Sequence, residues 1–298
     1  MPNKQIIPIV AATDEGYAQH LAVAMKSLAA NLATARASFY VLHNGLSASA
    51  KEKLERSLDG ERASIRYIPV DLGTFGSLPT NHHINEISYC KIIVPELLES
   101  LQLRKAIYID CDIVVKRDLL PLWNLDLQGH ALAAVRDIGG DCRKEELGIP
   151  VDSAYFNAGI LIFDVHRWTE ERLSRKVWSL VARHPEKLMF HDQDALNAVL
   201  HDDWLELPAC WNFQSNMVVA GLELEDPCIV HYTGASKPWH YANHHPYADD
   251  YFKYLAQTSW ASFRPERTLR MTVKQIVKTA LPASTLRLLS RLKRTAMS

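Results

Sequence analysis

The chain has 298 residues, 48% hydrophobic and 22% charged, with a formal net charge of −1. That composition is ordinary for a folded globular protein with room for one large α/β domain or two small ones, and it excludes a disordered chain. The near-neutral balance argues against a nucleic-acid binder, and no apolar run is long enough to span a bilayer.

The N-terminal stretch MPNKQIIPIVAATDEGY lacks the apolar core of a secretory leader, because Ile6 to Ala12 is short and broken by Pro8. Ile6 to Ala12 reads instead as a buried strand. The turn TDEGY leads from it into a helix over Ala18 to Leu32, where Leu21, Met25, Leu28 and Leu32 recur at helical spacing. Ser38 to Leu42 predicts a second strand, Ser49 to Leu58 a helix and Ile65 to Val70 a third strand. Ile87 to Leu101 predicts a helix kinked at Pro95, and Ala106 to Ile109 a further strand. This alternation of strand and helix implies a parallel sheet. Ala131 to Val135 and Gly159 to Phe163 also predict strands. Between them, Asp137 to Ser153 carries Gly139, Gly140, Gly148 and Pro150 and predicts a long mobile loop. Glu170 to Arg183 and Asp194 to Leu200 read as helices, and Cys228 to His231 as a short strand opening into TGASKPW.

The charge changes towards the C-terminus. Between Ala261 and Ser298, nine Lys and Arg residues face Glu266 as the single carboxylate side chain. Leu269, Val273, Ile276, Val277 and Leu281 form one apolar face, and after Pro282 the residues Leu286, Leu289 and Leu292 repeat the pattern. A pair of basic amphipathic helices follows, so the chain divides into a domain over 1–260 and a tail over 261–298. Such a tail fits attachment to an anionic membrane surface, the alternative being a helical pair packed on the domain. Five cysteines, Cys90, Cys111, Cys142, Cys210 and Cys228, stand singly without a C-x-x-C pair. They fit neither a disulfide framework nor a zinc site and suit a reducing cytoplasm.

Chemistry concentrates at KAIYIDCDIVV, Lys105 to Val115. In an extended chain Asp110 and Asp112 point to one face while Cys111 points away. Two carboxylates at one spot repel unless a cation lies between them, and a divalent ion bridging a diphosphate answers that need. A polar turn after a core strand is the other reading of so short a pattern. The carboxyl end of a strand is where open α/β sheets bind ligands, which favours the functional reading. Asp14 follows the first strand in VAATDEGY, where it could meet a nucleotide or simply cap a helix. In YFNAGILIFD, Asn157, Ala158 and Gly159 lead into a strand where a sugar or phosphate can approach the backbone. His231 alone reads best as a core histidine. Beside Gly234 and Lys237, and with the two aspartates, it could complete a mixed oxygen and nitrogen site suited to manganese.

In this order, AATDEGY, YIDCD, FNAGILIFD, DQDALN and HYTGASKPW resemble the family-8 retaining glycosyltransferases, particularly the bacterial lipopolysaccharide galactosyltransferases and glucosyltransferases. The resemblance covers roughly Ile6 to Tyr254. It implies an α/β fold of GT-A type, a Rossmann-like nucleotide-sugar-binding domain with a mixed, mainly parallel sheet. It implies Asp110, Asp112 and His231 as ligands of Mn2+, with Mg2+ as the alternative. It implies nucleotide contacts from Ala12, Asp14, Gly16, Asp110 and Cys111, although Glu15 and Gly16 depart from an Asp-Asn pair found in some members. Lys91 stands where a sugar or phosphate contact is often Arg. Asn157, Ala158, Asp192 and Gln193 match the donor-sugar pocket, the last two at the catalytic position, and Gly234 and Lys237 match the diphosphate clamp. His83 and Phe190 fall where acceptor contacts are expected, Phe190 replacing a tyrosine.

The function so implied is metal-dependent transfer of galactose or glucose, with retention, from a UDP-sugar to a saccharide acceptor such as a lipopolysaccharide or lipooligosaccharide. The enzyme would work in the cytoplasm, peripherally on the inner face of the cytoplasmic membrane. An amide is a poor nucleophile, so Gln193 favours same-face attack over a covalent intermediate, with Asp192 orienting the donor sugar. Two alternatives stay open: a sugar nucleotidyltransferase, which would release pyrophosphate, and a UDP-sugar-binding module without turnover.

Overall fold

A computed structural model of the protein describes residues 5–58, 63–71, 86–241 and 243–266. His83 and the expected tail helices lie outside the described residues. The chain opens with β1 (Ile6–Thr13), α1 (Ala18–Asn31), β2 (Arg36–His43), α2 (Ala48–Arg56) and β3 (Ala63–Pro69). β1 is buried along its length except at Ile6. Its alternation sends Ile7, Ile9 and Ala11 into a core with Leu21, Met25 and Leu28 of α1. Val10 and Ala12 enter a second core on the opposite face. Both faces of the sheet are therefore covered, which is why β1 is apolar throughout rather than alternating with polar residues.

β4 (Lys105–Ile109), β6 (Leu132–Arg136), β7 (Phe156–Asp164) and β8 (Trp204–Leu207) complete a seven-stranded sheet of order β3-β2-β1-β4-β7-β6-β8. β1 pairs in parallel with both β2 and β4. β7 runs antiparallel to β4 and β6, so the sheet is mixed, as the family resemblance implies, and not the all-parallel sheet that alternation alone suggests. The chain winds outward from β1 through β2 to β3, then returns to place β4 on the other side of β1. The order thus reverses between β1 and β4, and a crevice opens outside their carboxyl ends. β7 contains a bulge: its register against β6 shifts between Ala133 and Val135. Phe156 and Ala158 consequently share a core with Leu161 and Phe163, which strict alternation would place on the opposite face.

A small second sheet of order β5-β10-β9 stands beside the crevice, formed by β5 (Ile113–Val115), β9 (Phe213–Gln214) and β10 (Ile229–His231). KAIYIDCDIVV is thus not one strand. β4 ends at Ile109, the chain bends at Cys111 and Asp112, and β5 pairs antiparallel with β10.

Three sequence expectations change. Glu86–Ile93 forms a 3-10 helix, and Pro95 lies in the first turn of α3 (Val94–Ser100), where its missing N–H costs nothing, rather than kinking a long helix. The expected helix over Glu170 to Arg183 breaks at Arg172, whose φ of 54° separates α6 (Val165–Glu170) from α7 (Leu173–Arg183). The expected mobile loop contains a 3-10 helix, Gly140–Arg143, and α5 (Lys144–Leu147). Arg143 ties it down, reaching Asp194, Glu146 and the Lys187 carbonyl. Between β5 and β6 lies α4 (Leu120–Trp123), and later come α8 (Asp192–Leu200), α9 (Ser215–Val219) and α10 (Ala248–Leu255). Among the described residues, no helix is long and apolar enough to cross a membrane.

Candidate active site

The bend after β4 and the end of β10 bring Asp110, Asp112 and His231 together, with one ligand-capable atom of each within 4.8 Å of the others. His231 Nε2 lies 3.3 Å from Asp112 Oδ1 and 3.9 Å from Asp110 Oδ2. Cys111 does point away: its thiol donates to the Ala12 carbonyl at 3.2 Å and joins the ends of β1 and β4, so its side chain is committed there. Gly159, in the β7 bulge, lies directly beneath the cluster. A Cβ at that position would stand 2.1 Å from His231 Cε1 and 2.9 Å from Asp110 Oδ2, so only glycine leaves both side chains in place.

Two lysines compensate the carboxylates. Lys91, from the 3-10 helix, is almost fully buried and lies 3.3 Å from Asp110 Oδ1 and 2.9 Å from Asp192 Oδ2. Burial alone would favour its neutral amine, but Asp110 and Asp192 outweigh burial and raise its pKa, so the ammonium persists. On the other side Lys237 Nζ donates to Asp112 Oδ2 and, at 2.7 Å, to the Tyr232 carbonyl. Burial tends to raise the Asp112 carboxyl, yet Lys237 and His231 together hold it well below the usual carboxylate range. Asp112 is therefore ionised against a flexible ammonium, which stands where positive charge is needed. Two carboxylate ligands and one imidazole suit a divalent transition ion such as Mn2+, so the residues present fit the metal that the resemblance implies.

A polar network extends from this cluster along β7. Asn157 Oδ1 accepts from Asn212 Nδ2 at 2.9 Å and from the Gly159 amide at 3.0 Å. Asn157 Nδ2 donates to Gln193 Oε1 at 3.1 Å, and that oxygen also accepts from the Ala158 amide at 3.0 Å. Gln193 Nε2 and Asn216 Nδ2 both reach Asp137, at 3.0 and 2.6 Å. His231 Nδ1 meets Asn212 Oδ1 at 2.9 Å.

α8 is fixed from below and strained at its start. Asp194 is fully buried and accepts from Tyr155 Oη, Arg143 Nε and the Phe190 amide. His191 precedes the helix with φ 51° and ψ −118°, a conformation that costs free energy and aims Asp192 and Gln193 at the crevice.

Of the sequence-derived site residues, Lys91, Asp110, Asp112, Asn157, Ala158, Asp192, Gln193, His231 and Lys237 are joined by these contacts. Asp14 Oδ1 accepts from the Tyr17 amide at 2.9 Å, which is the capped-turn reading of that residue. Ala12 lies near the carboxyl end of β1 and Gly16 in the turn that follows, which Glu15 clamps to Ser47 ahead of α2. Gly234, with φ 79°, turns the chain after β10 so that Lys237 can come back over Asp112. Phe190 stands just before α8 and is half-buried. Asp137 and Asn212 carry no signal in the sequence, because isolated polar residues in irregular segments have no period, and Asp194 reads there only as the start of a helix within DQDALN. His20 carries none either: its ring stacks on Trp239 at 3.5 Å between centroids, and its Nδ1 meets Tyr251 Oη at 2.8 Å.

Known proteins resemble the chain in sequence and fold. The chain is 34% identical over 276 residues to general stress protein A of Bacillus subtilis, covering 87% of this chain and 96% of that one. It is 24% identical over 276 residues to the lipopolysaccharide 1,2-glucosyltransferase of Escherichia coli K12, covering 88% and 81%. Its fold matches the crystal structure of the galactosyltransferase LgtC in complex with donor and acceptor sugar analogues, with a TM-score of 0.80, 26% identity, and coverage of 85% and 96%. The sheet is thus that of a GT-A enzyme, and since the model of glycosyl transferase family 8 matches residues 8–243, the chain belongs to that family of glycosyltransferases.

Proposed function

We propose that this protein transfers galactose or glucose from a UDP-hexose to a saccharide hydroxyl, with retention at the anomeric carbon and dependence on a divalent cation, Mn2+ before Mg2+. The observation that carries this reading is the convergence of Asp110, Asp112 and His231 at the β1/β4 crevice, over Gly159 and against Lys237. Asp110, Asp112 and His231 would hold a divalent ion there, which would offer positive charge to the diphosphate that leaves as UDP, an effect that can be worth several kcal/mol of barrier. Ala12, Asp14, Gly16 and the Cys111 backbone border the nucleotide. Lys237, on its flexible stem, can leave Asp112 for a phosphate oxygen as negative charge builds there.

Asp192 and Asn157 face the donor sugar with Ala158. The Gln193 carbonyl oxygen already accepts two hydrogen bonds, and Asp192 is buried in an ion pair with Lys91. Neither is poised as a free nucleophile, which supports attack by the acceptor on the same face through an oxocarbenium-like state, its proton passing to the leaving phosphate. His83 and Phe190 are proposed on the acceptor side. The similarity to a lipopolysaccharide glucosyltransferase supports a lipopolysaccharide or lipooligosaccharide acceptor, which the basic segment 261–298 would approach at the inner membrane surface.

The test is UDP release from UDP-galactose and UDP-glucose, with and without Mn2+, followed by NMR of the product's anomeric proton. Mn2+-dependent release of UDP and an α-linked product are expected. Release of pyrophosphate from UTP and a sugar phosphate would identify a nucleotidyltransferase instead, and binding without turnover on any saccharide would identify a binding module.

A further inference from the structure

We infer that Asn212 is a positioning residue that orients both His231 in the cation site and Asn157 in the donor-sugar pocket. The inference rests on the proposed function and concerns a residue that touches neither ligand. Asn212 ends a 3-10 helix, Ala209–Asn212, and is fully buried. Its two side-chain polar atoms face different halves of the site, His231 Nδ1 and Asn157 Oδ1, each at 2.9 Å.

The orientation of this amide follows from backbone groups alone. The Gly159 N–H can only donate, so the Asn157 atom it meets at 3.0 Å is the oxygen. The Asn212 atom facing that oxygen must then be Nδ2, which leaves Oδ1 for His231. A carbonyl oxygen only accepts, so His231 Nδ1 carries the hydrogen. Nε2 is thereby the nitrogen turned to Asp110 and Asp112, the one whose lone pair a cation would take. The Ala158 N–H fixes the far end in the same way: it marks the Gln193 atom at 3.0 Å as Oε1, so Asn157 donates to it and Gln193 Nε2 donates to Asp137. One directional chain runs from His231 through Asn212 to Asn157, Gln193 and Asp137. A ring rotation at His231 and a shift of Asn157 each break a bond to the same amide. Asn212 thereby holds each half of the site through one bond of its own.

Two substitutions separate the halves. Asn212→Leu is close in volume and removes both bonds. Asn212→Asp keeps an acceptor for His231 Nδ1 but can no longer donate to Asn157. In the full-length protein, Mn2+ binding is measured by the electron paramagnetic resonance of free Mn2+, donor KM by UDP release, and folding by thermal melting. Asn212→Leu is expected to weaken Mn2+ roughly 10- to 100-fold, the effect usual for removing the hydrogen-bond partner of a metal-bound histidine. Asn212→Asp is expected to hold Mn2+ within about threefold of wild type while donor KM rises about tenfold, the loss of one buried hydrogen bond. If Asn212→Leu does not fold, the contrast between wild type and Asn212→Asp still decides. Unchanged donor KM in Asn212→Asp, or equal loss of Mn2+ and donor binding in that variant, overturns the assignment of one bond to each half. Failure of the wild-type protein to bind Mn2+ overturns the cation reading itself, a result distinguishable from either.

Discussion

At position 159 a single methyl group decides whether the acidic cluster can form. An alanine Cβ there would lie within 2.1 Å of the His231 ring, against which the ring must move, while the neighbouring Ile160 and Ala158 show that β7 tolerates side chains elsewhere. Gly159→Ala is expected to keep the fold and to lose Mn2+-dependent turnover by roughly 10- to 100-fold, as when the orientation of a metal ligand is disturbed. Circular dichroism and UDP release check it together; an alanine variant with wild-type turnover would mean that His231 is not needed where it stands. The motif FNAGILIFD drew attention to this glycine as room for a ligand. Its tight contacts lie instead with the protein's own side chains, a long-range fact invisible in the sequence. Asp110 and Asp112 were legible because their types and spacing are unusual after an apolar strand. Asn212 was not, since nothing about CWNF reveals that β9 will lie beside β10.

At the scale of elements, the strands and helices with sustained periodicity were readable: β1, α1, β2, α2 and β4 lie within a few residues of their sequence-predicted bounds. What escaped includes the eight-residue α10 and short elements such as β5, β9 and α9, the latter too short for a period to be measured and formed because neighbouring chain supplies their hydrogen bonds. The 3-10 helix at Glu86–Ile93 likewise keeps an apolar, helix-like pattern while changing its winding. The loop after β10 is held to α1 and α10 through Trp239, His20 and Tyr251. Burial lowers the His20 pKa to about 3, opposed by Asp112 and aided by Lys237 and His240. The folded protein therefore refuses a proton that the unfolded chain accepts below about pH 6.5, and stability is lost as the pH falls from there towards 3. Between pH 7 and pH 5 His20 contributes a loss of about 2 kcal/mol. Urea denaturation at the two pH values should show that difference shrinking by about this amount in His20→Phe, which keeps the stack on Trp239; an unchanged difference would mean that His20 is protonated in the folded state.

For the whole molecule, the order of strands matters more than any one of them. Winding outward from β1 and returning to β4 opens the crevice, and the alternation of strand and helix pointed to that class of sheet. The antiparallel β7 was not legible in periodicity, because a buried antiparallel strand between two covered faces is as uniformly apolar as a parallel one. The basic segment 261–298 adds a separate proposal about where the enzyme works. A chain ending at Glu266 is expected to keep turnover on a soluble saccharide and to lose sedimentation with phosphatidylserine vesicles; equal sedimentation would exclude the tail as the anchor. The central claim is that the β1/β4 crevice holds a cation between Asp110, Asp112 and His231. Manganese-edge anomalous diffraction from a crystal grown with Mn2+ and UDP tests it most directly. One strong anomalous peak in contact with those three side chains and the UDP diphosphate is the expected result. Density for UDP with no anomalous peak there, or with the peak on other residues, would contradict the account.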